Sequence, residues 1–238
     1  PGCMNGCPVK AYEKDEDTGI VHHLDDQCIG CEYCVMKCPY DVPKYSKELG
    51  IVRKCDMCHN RLSEGESPAC VQACPTRAIS ITIVKQDEEE APHRLTERLV
   101  PGAADSAYTL PTTQFITNRD MPADTRPSDA AEISLQPAHW PLVAMLVLTQ
   151  VSVGSCIADF ITRITGGATS PWIPVFSLAA CMVGLTASVF HLGHPLKAWR
   201  FFLGLRTSWL SREILVFSAY AGVLPVWVLI RKIGRAHV

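Results

Sequence analysis

The sequence predicts two unlike parts in one chain: an α+β domain built on cysteine loops, then an all-α domain of transmembrane helices. Two observations carry this. Ten of the twelve cysteines fall before residue 75, in short fixed spacings. Three long apolar runs fall between residues 140 and 230, after a polar first half. The overall hydrophobic fraction of 47% averages these two halves and hides both. The 238 residues allow one or two domains, and a net charge of -2 suggests no nucleic-acid partner. So many cysteines would mean disulfides in a small secreted protein, but their spacing here is that of metal ligands.

Residues 28–39 read CIGCEYCVMKCP, which is C-x2-C-x2-C-x3-C-P, the bacterial ferredoxin run. Three cysteines at two-residue gaps curl around three corners of one cubane cluster. The fourth leaves that loop and ligates another cluster. Cys28, Cys31 and Cys34 therefore need a ligand from elsewhere, and Cys38 belongs to a second centre. A zinc or purely structural module needs only CxxC pairs, so the triple followed by Cys-Pro disfavours it. Cys55-x2-Cys58-x11-Cys70-x3-Cys74-Pro75 repeats the logic with a stretched middle. Cys3-x3-Cys7-Pro8 is the back half of one more motif. GIVHHL (19–24) and AISITIV (78–84) suit short strands flanking the loops, so the first domain, 1–85, is expected to be ferredoxin-like.

Residues 86–138 are expected to form an extended arm. They hold the charge run Asp87–Glu90, read as a solvated surface, and prolines 92, 101, 111, 122, 127 and 137. Then the solvent changes. Spans are expected at about 140–160, 171–190 and 213–230, each near the length that crosses a hydrocarbon core of about 30 Å. Gly154, Ser155, Ala179, Ala180, Gly184, Ala187 and Ser188 would allow close helix packing. Cys156 and Cys181 sit inside the apolar runs and read as small buried hydrophobes. Both ends are expected to be incomplete. The chain opens at Pro1, inside a motif, and Gly234–Val238 resembles read-through of a sequencing adapter.

The cysteine set resembles the four-cluster ferredoxin subunit of the dimethyl sulfoxide reductase family of molybdoenzymes, over residues 1–85. In that family four motifs pair second with third and first with fourth. The resemblance implies that Cys7 joins Cys28, Cys31 and Cys34 on one complete [4Fe-4S] cluster. Cys3 and Cys38 would share a second. Cys55, Cys58 and Cys70 would begin a third, and Cys74 would serve a fourth, with partners in a first motif absent from this chain. Relatives lacking one cysteine of the third motif hold three irons there; all are kept here, so four are expected.

HWPLVAMLVLTQ (139–150) and ASVFHLGHPLKAW…SWLSREI (187–214) resemble the membrane anchor of the same reductases. That anchor binds quinol and has about eight spans; three are present, fused to the ferredoxin part. The resemblance implies a subunit of anaerobic respiration in the bacterial cytoplasmic membrane. It would carry electrons from menaquinol or a similar quinol to a molybdopterin catalytic subunit, or the reverse from a formate- or sulfur-oxidising partner. No catalytic residue is expected in the chain itself. His191 and Glu213 lie at the ends of the second and third spans and are the candidate quinol ligands. A histidine titrating near neutrality can take a quinol proton. His194, Arg200, Arg206 and Asp159 are secondary candidates, with Arg200 and Arg206 also placed to meet lipid headgroups. Lys197, Arg200, Arg206 and Arg212 against Arg163, Arg231 and Lys232 would put the loop 191–212 inside by one charge. The resemblance instead implies the outer face for the ferredoxin part, exported by a signal on the catalytic partner.

Overall fold

The computed structural model describes residues 2–82, 98–109, 111–126 and 138–236. The charge run at 87–90, the last two residues of the expected strand at 78–84, and residues 86–97, 110 and 127–137 of the arm lie outside these. The first part is α+β, as expected. A helical turn, α1 (Gly2–Gly6), leads into the hairpin β1 (Tyr12–Lys14) and β2 (Val21–His23). Tyr12 pairs with His23 and Lys14 with Val21. Asp15 forms the hairpin turn: its Oδ1 accepts the N–H groups of Asp17 and Thr18 at 2.9 and 2.8 Å. α2 (Tyr33–Lys37) follows, then the hairpin β3 (Lys44–Ser46) and β4 (Ile51–Arg53), and the short helices α3 (His59–Ser63) and α4 (Ala69–Ala73).

GIVHHL does contain a strand, β2. AISITIV does not, over its described residues 78–82. Those residues are exposed and no backbone among the described residues pairs with them, and β-propensity alone makes no strand without a partner. Residues 111–126 carry no regular element, and α5 (Ser106–Thr109) is a single turn.

The membrane part has three long helices: α6 (Trp140–Ile164), α7 (Trp172–Val189) and α8 (Trp209–Ala236). All three are long and apolar enough to cross a membrane, the third over Trp209–Arg231, so it starts four residues before the expected 213. Proline sets two starts, at Pro141 in the first turn of α6 and at Pro171, which caps α7. A 3-10 segment (Pro195–Gly204) joins α7 to α8. Gly184 of α7 lets the backbones of α6 and α7 approach: a Cβ there would sit 3.3 Å from the Met145 carbonyl. Serines bind all three helices together. Ser152 donates to the Ser177 carbonyl at 2.7 Å, Ser177 returns a bond to the Ser152 carbonyl at 2.6 Å, and Tyr220 reaches Ser152 at 2.9 Å.

At the far end Arg231 donates to Asp159 Oδ1 and to Thr169 Oγ1, both at 2.8 Å. Asp159 thus holds α6 to α8, a structural reason for an acid inside a span. Asp159 is fully buried and Arg231 nearly so. Asp159→Ala should cost about 3–5 kcal/mol by leaving the guanidinium buried and unpaired. Asp159→Leu with Arg231→Leu should recover most of it. Thermal unfolding of the detergent-solubilised chain checks this, and an unchanged Tm in the single variant would count against the pair.

The two parts share one core. Val9, Ala11, Tyr12, Ile29, Ile51 and Val52 of the first part pack with Leu192 and Phe201 of the second. Ile29 has no exposed surface at all. Burying such side chains is favourable by about 1.5–3 kcal/mol each.

Candidate metal centre

Cys7 ends the turn after α1, where Pro8 stops the helix. Cys28 and Cys31 flank a loop turned by Gly30 at φ 67°, and Glu32, just after Cys31, turns into the next helix at φ 56°, both left-handed. α2 then delivers Cys34. The loop is fixed from below by Asp25, which accepts from His23 Nδ1 at 2.8 Å and from Arg53 Nη2 at 2.6 Å. The result is one enclosed cavity lined by Cys7, Cys28, Cys31 and Cys34 together, with Tyr12 and Val52 among its walls. The Ala11 N–H points at Cys7 Sγ at 3.2 Å and the Gly30 N–H at Cys28 Sγ at 3.4 Å.

Burial decides the thiol chemistry. It pushes the Cys7 thiol up, and Cys31 and Cys34 up to about 12, with the other cysteines adding to both. Burial also opposes ionisation of Cys28, but the His23 imidazole and the N–H groups of Val52 and Gly30 outweigh it, so this thiol lies below its usual range. His23 is raised in turn: burial works against its charge, and Cys28 and Asp25 prevail. Four thiolates cannot share this pocket without positive charge between them. A cationic iron-sulfur core supplies it, and binding then releases protons. A single zinc ion would need sulfurs about 3.8 Å apart, from Zn–S bonds of about 2.3 Å. Here the four cysteines line one cavity from three separate segments of the first part.

The other cysteines are placed differently. α1 packs on α2, where a Cβ at Gly2 would lie 3.3 Å from the Lys37 carbonyl, and these turns carry Cys3 and Cys38. Cys55 and Cys70 are exposed, Cys58 and Cys74 half-buried. Arg61 joins α3 to α4, donating to the Ser67 carbonyl at 3.0 Å and to Gln72 Oε1 at 2.5 Å. Cys74 is lowered to about 7 by the Thr76 hydroxyl and the Ala78 N–H. Cys156 accepts from Ser177 at 3.4 Å and lies in the membrane part with the buried Cys181, far along the chain from any of these.

The membrane part grips the cavity from outside. Ser208 donates to the Gly6 carbonyl at 2.8 Å and Ser211 to that of Pro8 at 3.4 Å, one on each side of Cys7. The His194 N–H donates to the Ile29 carbonyl at 3.1 Å, between Cys28 and Cys31. Gly30, Gly50 and Gly193 meet backbone to backbone: a Cβ on Gly193 would sit 1.9 Å from the Gly50 oxygen. Lys197 and Arg200 both donate to the Asp26 carbonyl, at 3.0 and 2.6 Å, so Arg200 meets the first part of the chain.

His191 follows α7 and its ring stands perpendicular to that of His139, centroids 4.7 Å apart. Burial and His139 hold His191 below its usual value, with Glu32 pulling the other way. Glu32 also lines the cysteine cavity. His139 and Glu32 thus join this corner; His139 opens the stretch 139–150 that carries the anchor resemblance, but the sequence alone singles out neither residue for a role. Glu213 is exposed one turn into α8, with no hydrogen bond or ion pair among the described residues. Arg206 is exposed and His194 half-buried.

Residues 1–84 match the family described as a 4Fe-4S dicluster domain. Residues 136–237 match the DMSO reductase anchor subunit (DmsC) family. The chain is 42% identical over 109 residues to the hydrogenase-2 operon protein HybA of Escherichia coli O157:H7, covering 43% of this chain and 33% of that protein. It is 48% identical over 79 residues to the B subunit of anaerobic dimethyl sulfoxide reductase of Escherichia coli K12, covering 33% and 38%. It is 41% identical over 95 residues to the iron-sulfur subunit of nitrate-inducible formate dehydrogenase of the same strain, covering 40% and 32%. The chain therefore spans between about a third and two fifths of the length of these relatives. The cysteine cavity in the first part and the three spans of the second agree with both matches: this is a 4Fe-4S dicluster domain joined in one chain to an anchor domain of the DMSO reductase type.

Proposed function

We propose that the chain takes electrons from menaquinol or a similar quinol at the membrane and passes them singly through [4Fe-4S] clusters to a molybdopterin catalytic subunit. The observation that carries this is the shared corner. The cavity of Cys7, Cys28, Cys31 and Cys34 lies against the membrane part, with His191 and His139 beside Glu32 of its wall. Those four cysteines hold one cluster. Cys3 with Cys38 contribute to a second, Cys55, Cys58 and Cys70 to a third, and Cys74 to a fourth.

A bound cubane supplies one-electron chemistry; the chain supplies distance and tuning. The N–H groups aimed at Cys7 and Cys28 sulfur stabilise the more negative, reduced state and so raise the potential. Quinol oxidation releases two electrons and two protons. His191, held neutral by burial and by His139, accepts one proton at a ring nitrogen. Glu213, His194 and Arg206 remain available on the same membrane face. The DMSO reductase anchor match favours this direction. The likeness to a formate dehydrogenase subunit supports the reverse flow into quinone, and cluster potentials measured against the quinone couple separate the two. We place the first part on the outer face of the bacterial cytoplasmic membrane. Two of the four loop charges that argued otherwise, Lys197 and Arg200, donate to the backbone carbonyl of Asp26 in the first part.

The test is His191→Ala in the whole complex. Quinol oxidation should slow by about 10²-fold or more, the range lost with a general base, while cluster spectra stay unchanged. The wild-type rate should rise with pH below about 6.5, as His191 loses its proton, and then level; the variant should lose that rise. Unchanged turnover would end the proton-acceptor role.

A further inference from the structure

Away from the cysteine cavity, Asp15, His22 and His59 each bring one potential ligand atom to a common point, all within 4.8 Å of one another. Asp15 sits in the turn of the first hairpin, His22 on β2 and His59 at the start of α3, so the three come from separate elements. The rings of His22 and His59 meet edge to face, centroids 4.1 Å apart. A second observation is independent of that proximity. His22 Nε2 and His59 Nδ1 are buried and have no hydrogen-bond partner among the described residues. A buried imidazole nitrogen without a partner is unfavourable, and two in one cluster call for a ligand. Asp15 uses Oδ1 on the N–H groups of Asp17 and Thr18, which fixes the carboxylate in place. Its carboxyl is held below the usual range by the Thr18 contacts first, with His59 adding to them. It is therefore a carboxylate at neutral pH.

We infer that Asp15, His22 and His59 form a site for one divalent transition cation of the zinc type. Two imidazoles and one carboxylate are a common three-ligand set for zinc, with the fourth position left to water. The cation would pin the hairpin to α3, and His59 directly follows Cys58. The site would thereby fix the loop Cys55–Cys58, which holds two left-handed residues, Met57 at φ 59° and Cys58 at φ 54°. Its role is structural and is independent of which way electrons flow.

The experiment uses the full chain in its complex with iron-sulfur clusters assembled. It is stripped with a mild chelator, given Zn2+, washed and analysed for zinc and iron together. One zinc per chain is expected beyond the iron. His59→Ala and Asp15→Asn should each reduce zinc to background with iron unchanged; His22→Ala should do the same. Zinc absent from the wild type, or kept in all three variants, overturns the site. Should a variant fold poorly, Co2+ on the wild type still decides. In the difference spectrum on adding Co2+, weak visible bands with no new thiolate charge transfer are expected, and a new strong thiolate band would put the metal on cysteine and sink the inference.

Discussion

Gly193→Ala separates the two parts of the chain. A Cβ at residue 193 would lie 1.9 Å from the Gly50 oxygen, 2.6 Å from its carbon and 2.9 Å from its Cα. All three atoms are backbone, so no side chain can rotate away. Gly50 is itself held at φ 64°, and a Cβ on Gly30 would meet the same oxygen at 2.2 Å, so the Gly50 peptide is enclosed from two sides. Relief requires the 3-10 segment to lift. That breaks the His194–Ile29 bond and draws Leu192 and Phe201 out of the shared core. We expect a loss of about 3 kcal/mol, the upper end for overpacking a tight site. The check is to nick the purified chain with protease in the exposed stretch 111–126 and ask whether the parts stay together. Wild-type parts should co-elute and Gly193→Ala parts should not. Co-elution of both would remove the tight docking described above.

Cys31→Ser abolishes the complete cluster and Cys156→Ser leaves it whole. The Cys31 thiol is pushed up to about 12 by burial among three other cysteines, so the folded apo pocket resists its charge. Only the cationic core makes the thiolate favourable there, and a serine hydroxyl, harder to ionise than a thiol, gives that core no equivalent anchor. Iron should fall by about four per chain, one cubane. Cys156 lies in the membrane part, where it accepts from Ser177. For the same reason reconstitution of the apo chain should be favoured by higher pH, since the raised thiols must release protons to bind. Equal loss of iron from both variants would contradict the ligand assignment.

Much of this was legible in the order of residues. The three helices appear where apolar length predicts them, because lipid demands about twenty apolar residues whatever the fold. The cysteine triple was legible because a cluster loop needs fixed local spacing. What was not legible is contact between distant segments. The sequence showed two unlike parts joined by an arm and no contact between them, yet Gly50 meets Gly193 and Gly6 meets Ser208 across more than 140 residues of chain. Nothing local distinguishes a glycine needed for such contact from any other. His139 and His191 likewise pair only once α6 and α7 have packed. AISITIV failed for the converse reason: its composition suits a strand, but over residues 78–82 no partner among the described residues lies beside it.

The reach of Cys7 to the loop at 28–34 is the central claim, and a cryo-EM map of the chain in its complex tests it most directly. The expected map has one compact four-iron density in the cavity, joined to Cys7 Sγ on one side and to Cys28, Cys31 and Cys34 on the others. A map in which Cys7 sulfur stands clear of that density, or in which the cavity holds a single ion, would contradict it.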